Sequence, residues 1–309
     1  MGFVPSYLSE AERLGKYLSM PATLFSDRGV LRVAGADAGP FLDNLLTSTV
    51  STLAPGAARF AALLSPQGKI LVDMIVLRHE DQFLIDVPRA LIGDLIKRLT
   101  LYRLRAKVEM ADQSEAYHII AGWGDEDQPD GLSFVDPRLP ALGWRAFVQR
   151  DQAQHATSPV ELYDAHRIAL GVPMGGRDFI YGDAFAHEAL MDCLAGIDFK
   201  KGCYVGQEIV SRMQHRGTAR TRIVPVRFLD TVSPMEGTEA LAGDRVIGSI
   251  GSVTAGGHAL AMLRLDRVAE ALADHIALTA GGLSFQIERR DFMSFDIPGT
   301  TQGEGARHA

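Results

Sequence analysis

Along the chain the spacing of apolar positions changes several times, and each change marks a predicted element. Thr23 to Val33 reads as two short apolar runs split by Ser26-Asp27-Arg28-Gly29, which predicts a hairpin. Asp37 and Pro40 mark a helix start, with Phe41, Leu42, Leu45 and Leu46 on one face and the polar Thr47-Ser48-Thr49 closing it. Ile70 to Leu77 and Phe83 to Val87 predict a second hairpin in a central sheet, joined through His79-Glu80-Asp81-Gln82. Leu91, Ile92, Leu95, Ile96 and Leu99 follow helical spacing, and Lys107 to Met110, Tyr117 to Ala121 and Trp144 to Val148 read as strands. An acidic, turn-rich loop runs from Gly124 to Gly131.

Ser158-Pro159-Val160-Glu161 has the form of a capping box with proline at the first helical position. The helix it opens presents Leu162, Ala165, Ile168 and Ala169 on one face and ends at Gly171 and Pro173. After Arg222 the texture becomes short β-like runs, Ile223 to Phe228, Arg245 to Thr254, Ala259 to Leu265 and Leu283 to Arg289, separated by Gly-rich turns. That pattern predicts a small antiparallel barrel or sandwich. Three units follow: a body over residues 1–218, a β domain over 219–295, and a polar tail over 296–309 expected to be disordered.

At 309 residues the chain can bury a large core without staples. A net charge of −7 argues against a general nucleic-acid footprint, so no direct nucleic-acid partner is expected. No stretch reaches about 18 consecutive apolar residues, so no membrane span is expected. The N-terminal region carries Glu10, Glu12, Arg13 and Lys16 with no apolar core of a signal peptide. Two cysteines, Cys193 and Cys203, without a CxxC motif, fit a reducing compartment and support no intrinsic iron–sulfur cluster or structural metal site. Such a compartment is the cytoplasm or, in a eukaryote, an organelle matrix. Gly248 and Gly251 precede no helical pattern, so they form no dinucleotide fingerprint, and His187-Glu188 lacks the second histidine of a zinc-protease helix because position 191 is Met191.

Candidate chemistry concentrates in Lys201-Gly202-Cys203-Tyr204-Val205-Gly206-Gln207-Glu208, where an amine, a thiol, a phenol, an amide and a carboxylate fall within eight residues. Lys201 could hold Cys203 partly as thiolate, because a nearby cation lowers a thiol pKa. Arg212, His215 and Arg216 extend the run with further donors. Taken alone, a Gly-Cys-Tyr segment is also compatible with a structural turn and a buried cysteine. Asp73 interrupts an apolar run and either faces a polar cavity or lies on a solvated face, since an unpaired buried carboxylate is costly.

The full string, read as K-G-C-Y-x-G-Q-E and followed by Arg212 and Gly217, resembles the signature of the YgfZ family of folate-binding proteins. That family is related in fold to the T-protein (aminomethyltransferase) of the glycine cleavage system. Leu63 to Arg78, Tyr102 to Val108 and Gly248 to Leu260 resemble further segments of the family in the same order. The resemblance implies an α+β fold: an aminomethyltransferase-like folate-binding body around a central channel, with a C-terminal antiparallel β-barrel.

It also implies a function, binding of tetrahydrofolate or a derivative in support of iron–sulfur cluster assembly or repair in client enzymes, including radical enzymes that modify tRNA. Cys203 is then the reactive thiol and Lys201 its charge partner. Asp73 and Glu188 become pterin-facing acids, and Tyr204, Gln207 and Arg212 further folate contacts. A carboxylate matches the two adjacent N–H donors of a pterin edge. Ala186 and Leu190 depart from the family's proline and asparagine around Glu188. Without the resemblance Glu188 reads as a solvated residue in the first turn of a helix. The rival functions are a tetrahydrofolate-dependent aminomethyl- or methyltransferase and an interaction scaffold without folate.

Overall fold

The computed structural model describes residues 21–300 apart from 125–130, 151, 152, 154, 155, 157, 217, 218 and 231. The N-terminal charged residues, most of the acidic Gly124–Gly131 loop, Gly217 of the signature and residues 301–309 of the predicted tail lie outside the described residues.

Among the described residues the strands form three antiparallel β systems. A five-stranded sheet has the order β3 (Ala58–Leu64), β4 (Ile70–His79), β5 (Gln82–Pro88), β2 (Arg28–Ala34), β6 (Glu109–Asp112). Its strands are apolar on both faces because both are covered. One face packs Leu31, Val33, Val72, Met74, Val76 and Ile85 against helices α1 (Ala38–Asp43) and α2 (Ile92–Arg103). The other packs Val30, Phe60, Ile75 and Leu84 toward a four-stranded sheet ordered β1 (Ala22–Phe25), β7 (Tyr117–Gly122), β9 (Trp144–Gln149), β8 (Leu132–Val135). The same cluster continues through Ile223, Val224 and Leu260 into a closed six-stranded barrel. Around the barrel the order is β10 (Thr221–Phe228), β13 (His258–Arg264), β12 (Arg245–Val253), β11 (Glu239–Ala242), β14 (Leu278–Ala280), β15 (Leu283–Ile287). Past residue 295, Ile297 is still buried.

The expected hairpin over Thr23 to Val33 is not formed. β1 pairs with β7 and β2 with β5, so Ser26 and Asp27 carry the chain from one sheet to the other. Local periodicity found both strands, but their partners lie far along the chain. The β4–β5 hairpin forms as expected, with Ile75 opposite Asp86.

The helix predicted after Ser158 is α3 (Val160–Leu170), closed by Gly171 in the left-handed region at φ +81°. Its capping box does not form: among the described residues no side chain caps its N-terminus, and the Ser158 amide donates to the Ala22 carbonyl at 2.9 Å. The buried face is Tyr163, Arg167 and Ile168, while Leu162 is exposed. Arg167 displaces the apolar stripe because it is buried with partners. It donates to Asp164 (2.7 Å), Asp178 (2.8 Å) and Ser252 of β12 (2.7 Å). Asp178 also accepts from the Met174 and Ser252 amides at 2.8 and 2.7 Å, so one ion pair ties α3 and the 174–178 loop to the barrel. Gly251 is required beside it, since a Cβ there would come within 2.5 Å of the Asp178 carboxylate.

A second buried network joins the two sheets of the body. Asp86 accepts from Arg28 and Arg145, each at 2.6 Å, and Arg145 donates onward to Asp136 at 3.0 Å. Arg138 binds Asp136 through two nitrogens at 2.9 and 2.7 Å. Burial alone would raise the Asp136 pKa, but the Arg138 and Arg145 charges and hydrogen bonds outweigh it and hold the carboxyl far below its usual range.

Two stability tests follow from these networks. Asp178→Ala leaves Arg167 charged and buried without its main partner, and is expected to lower unfolding free energy by about 3–5 kcal/mol in a denaturant titration. A loss within about 0.5 kcal/mol, typical of a surface substitution, would show that the junction does not depend on the pair. Because Asp136 titrates lower when folded than its ordinary 3.8, its contribution is complete above that value and disappears as pH falls further. Asp136→Asn is therefore expected to remove part of the acid-side slope in denaturation midpoints measured below pH about 4.

Candidate functional site

The signature begins on a loop that is clamped into a receptacle formed by residues 43–51. Thr47 donates through its hydroxyl to the Gly196 carbonyl at 2.6 Å, and Thr49 donates to Asp198 at 2.7 Å. Asp198 accepts further from the Lys200 amide at 3.0 Å; burial opposes its ionisation, but these hydrogen bonds and the charges of Arg59 and Lys201 hold its pKa below the usual range. Lys201 Nζ then donates to three carbonyls: Asp43 at 2.8 Å, Leu46 at 2.7 Å and Ser48 at 3.1 Å. Those oxygens sit at and just beyond the end of α1, where helix carbonyls lack intrahelical partners and a cation is favourable. Burial lowers the Lys201 pKa, with Asp43 and Asp198 opposing.

Cys203, two residues on, is a free and exposed thiol. Lys201 spends its three donors on backbone carbonyls, and no hydrogen bond or ion pair joins it to Cys203 among the described residues. The amine thus serves the clamp, a role its spacing from the cysteine did not reveal. Tyr204 is buried, its ring 5.2 Å from Lys201 Nζ, and burial followed by the Asp198 charge pushes its phenol up to about 12. It anchors the loop; its ring is in the core. Val205 packs on the α1–α2 side of the five-stranded sheet. Gly206, at φ +84°, sits so close to the β3–β4 turn that a Cβ would come within 2.7 Å of the Ser65 carbonyl, and Gly68 meets Ile209 just as closely. Cys203 therefore stands exposed between a clamped lysine and a buried tyrosine.

Gln207 opens helix α4 (Gln207–Arg216), half-buried, and Arg212 pairs with Glu208 one turn back at 2.7 Å. Arg212 and Glu188 line the same pocket of about 440 Å³, with Phe185, Ile209 and Met213 as apolar wall and Arg220 and Arg264 at the barrel side. Glu188 is half-buried in a run of turns, where a first helical turn was the alternative. Its carboxylate accepts from the Phe185 amide at 2.8 Å, and its own carbonyl accepts from the Ile223 amide of β10 at 3.0 Å. Burial raises its pKa, against the Phe185 hydrogen bond and the charge of Lys69, which sits 3.5 Å over the Phe185 ring.

Asp73 is elsewhere. It is buried on β4 and accepts a hydrogen bond from the Tyr181 hydroxyl, which decides between the polar-interior and solvated-face alternatives in favour of the interior. Burial, then the Asp73 charge, pushes the Tyr181 phenol far up, so Tyr181 remains a donor. The segment from Tyr181 to Glu188 runs along the start of β4, the Gly182 amide donating to Ile70 and the Ile70 amide to Ala184 at 2.7 and 2.9 Å. Asp73 meets one end of it, and Glu188 lies at the other, in a pocket that Asp73 does not line. The supporting residues Thr47, Thr49, Asp198 and Tyr181 were not singled out beforehand; only the polar Thr47-Ser48-Thr49 run signalled any of them.

This architecture is that of the aminomethyltransferase fold class with an appended barrel. Residues 25–126 match the GCVT N-terminal domain, and residues 220–295 match the CAF17 C-terminal beta-barrel domain. The crystal structure of glycine cleavage system aminomethyltransferase T from Bartonella henselae superposes with a TM-score of 0.70 over 91% of this chain and 89% of that one, at 16% identity, and so shares the fold.

Relatives named mitochondrial iron-sulfur cluster assembly factor IBA57, or its homolog, include proteins from Mycosarcoma maydis, human and mouse. The Mycosarcoma maydis protein is 34% identical over 224 residues, covering 65% of this chain and 55% of its own length. The human protein is 35% identical over 232 residues, 66% of this chain and 65% of its own length. The mouse protein is 30% identical over 267 residues, 77% of this chain and 72% of its own length. The chain belongs to the IBA57 family of iron–sulfur cluster assembly factors. It spans less than two thirds of the length of the Mycosarcoma maydis and human relatives.

The clamp makes a prediction that separates its two amino-acid neighbours. Lys201→Met should lower unfolding free energy by about 2–3 kcal/mol, because three carbonyls lose a charged donor. Cys203→Ser should stay within about 0.5 kcal/mol of the parent. If Lys201→Met folded with parental stability but alkylated Cys203 markedly more slowly, the lysine would be a thiol activator and not a clamp.

Proposed function

We propose that this protein supports iron–sulfur cluster assembly or repair in client enzymes, as a YgfZ-like protein that binds tetrahydrofolate. The observation that carries the reading is Cys203: an exposed free thiol on a loop pinned by Lys201 and Tyr204, in a chain of the IBA57 family. A thiol exposed on a rigid loop can ligate iron of a cluster in transit as thiolate without first rearranging the fold. The cluster is cargo in this reading, and the partners are assembly proteins and clients, among them radical enzymes that modify tRNA. The names of the relatives place them in mitochondria, in keeping with the organelle-matrix alternative.

The residues around the 440 Å³ pocket suit a folate. Its volume lies within the range of small-molecule sites, and an apolar wall of Phe185, Ile209 and Met213 faces one carboxylate and three arginines. Glu188 would accept the paired N–H donors of the pterin edge, Phe185 and Met213 would flank the ring system, and Arg212 with Arg220 would face the carboxylate tail. Tetrahydrofolate when bound supplies a carrier of one-carbon units. Asp73, held by Tyr181, has its charge directed to an interior hydrogen bond, which supports a positioning role better than a proton-transfer role in one-carbon transfer.

Calorimetric titration with tetrahydrofolate tests the ligand. The parent should bind saturably, Cys203→Ala should bind as well as the parent, and Glu188→Ala should lose about 2 kcal/mol, roughly a 30-fold weakening. Because burial raises the Glu188 pKa and the ionised form is the acceptor, affinity should fall on acidification starting above the ordinary glutamate value of 4.5. That fall should be absent in Glu188→Gln. Client-enzyme activity in cells lacking the protein should be restored by the parent and not by Cys203→Ala. No binding by any form would remove folate from the reading, and rescue by Cys203→Ala would remove the thiol.

A further inference from the structure

Helix α2 buries Ile92, Leu95 and Leu99, and then its sequence stops following the core. The next residues, Leu101-Tyr102-Arg103-Leu104-Arg105, are all exposed: Leu101 by 77%, Tyr102 by 43% and Leu104 by 89%. Single exposed leucines are ordinary, but three bulky apolar side chains interleaved with two arginines at one helix end form a patch. Leu104 moreover takes φ +45° and ψ −109°, a conformation that side-chain-bearing residues rarely adopt.

Arg98, Arg103, Arg105 and Lys107 make no side-chain hydrogen bond or ion pair among the described residues, whereas the neighbouring acid Asp94 is already paired with Lys97 at 3.2 Å. This concentration of free cations stands out on a chain of net charge −7. We propose that Leu101–Arg105 is a docking surface for an acidic protein segment that brings apolar side chains of its own, an amphipathic helix with glutamate or aspartate on one face. Arginine forks match carboxylates in two-point geometry, and the exposed leucines gain by being covered. A nucleic acid suits the patch less well, because only Tyr102 offers a stacking surface and the rest of the protein repels a polyanion.

The placement deepens the reading of Cys203 and in that respect rests on it. Asp37, just before α1, accepts from the Lys107 amide at 2.7 Å, and Lys201 holds the far end of the same helix. The six residues of α1 span about 9 Å, so the patch and the thiol loop flank one short helix. A partner seated on Leu101–Arg105 thus lies one short helix away from the loop that carries Cys203.

Fluorescence anisotropy with the whole protein tests the surface without using folate or the thiol. The probe is a labelled helical peptide with leucine on one face and glutamate on the other, compared with its lysine-for-glutamate counterpart. The glutamate peptide should bind saturably and more weakly as salt rises, and the lysine peptide should not bind. Arg103→Glu with Arg105→Glu, and separately Leu101→Ser with Leu104→Ser, should each weaken binding by roughly tenfold or more. Both pairs should leave the tetrahydrofolate titration unchanged. The proposal fails if the glutamate peptide does not bind, if the lysine peptide binds equally, or if neither pair of substitutions matters. It also fails if a single-stranded RNA displaces the peptide through the same residues. A dimer in solution that the same substitutions disperse would give the surface to a second copy of this chain instead.

Discussion

The chain of charges running from Arg28 through Asp86, Arg145 and Asp136 to Arg138 is the constraint on which the body depends. It crosses the space between two sheets that are otherwise apolar, and each carboxylate in it is completely or almost completely withdrawn from water. Such a network adds little to stability compared with well-packed hydrocarbon, but once buried it cannot tolerate a shift in register, because any slip leaves a charge without its partner. It therefore fixes how β5 and β9 face one another. Asp73, on the same strand system, is satisfied by Tyr181 in the interior that this alignment creates.

The candidate site uses the opposite device, polar groups brought near the surface and held from behind. The lysine of the signature string reaches inward to the end of α1, the tyrosine is buried, and between them the cysteine is left free. The barrel contributes in a comparable way at the other site. Its first strand holds the Glu188 backbone through Ile223, and Arg222 binds both Asp192 and the His187 carbonyl, so the loop that aims the glutamate depends on a domain formed by later residues. The Arg167–Asp178 pair fastens that domain to the body.

Most elements were legible because their apolar periodicity was strong. β4, β5, α2 and four of the six barrel strands correspond to runs recognisable in the sequence. β11 and β14 were not, since four and three residues give too few positions for alternation to register. Helix α5 (Leu265–Ala273) is not legible either, although Leu265, Val268 and Ala271 repeat at helical spacing, because the strand-like run Ala259 to Leu265 takes in its first residue. The Ser158 capping box had the right residue types at the right spacing. It failed because the Ser158 amide is used to join the helix start to β1.

By itself the sequence determined the period of each segment, the antiparallel β texture of the C-terminal third, and the grouping of Lys201, Cys203, Tyr204 and Gln207 in one string. Those properties are local, set by residue types a few positions apart. Only the tertiary structure decided that Lys201 caps α1 while Cys203 stays exposed, that Glu188 shares a pocket with Arg212, and that Asp73 belongs to a separate interior site with Tyr181. Each of these depends on partners brought together from distant parts of the chain. Burial and long-range hydrogen bonding, not residue type, settle which polar side chains are structural and which remain free to act.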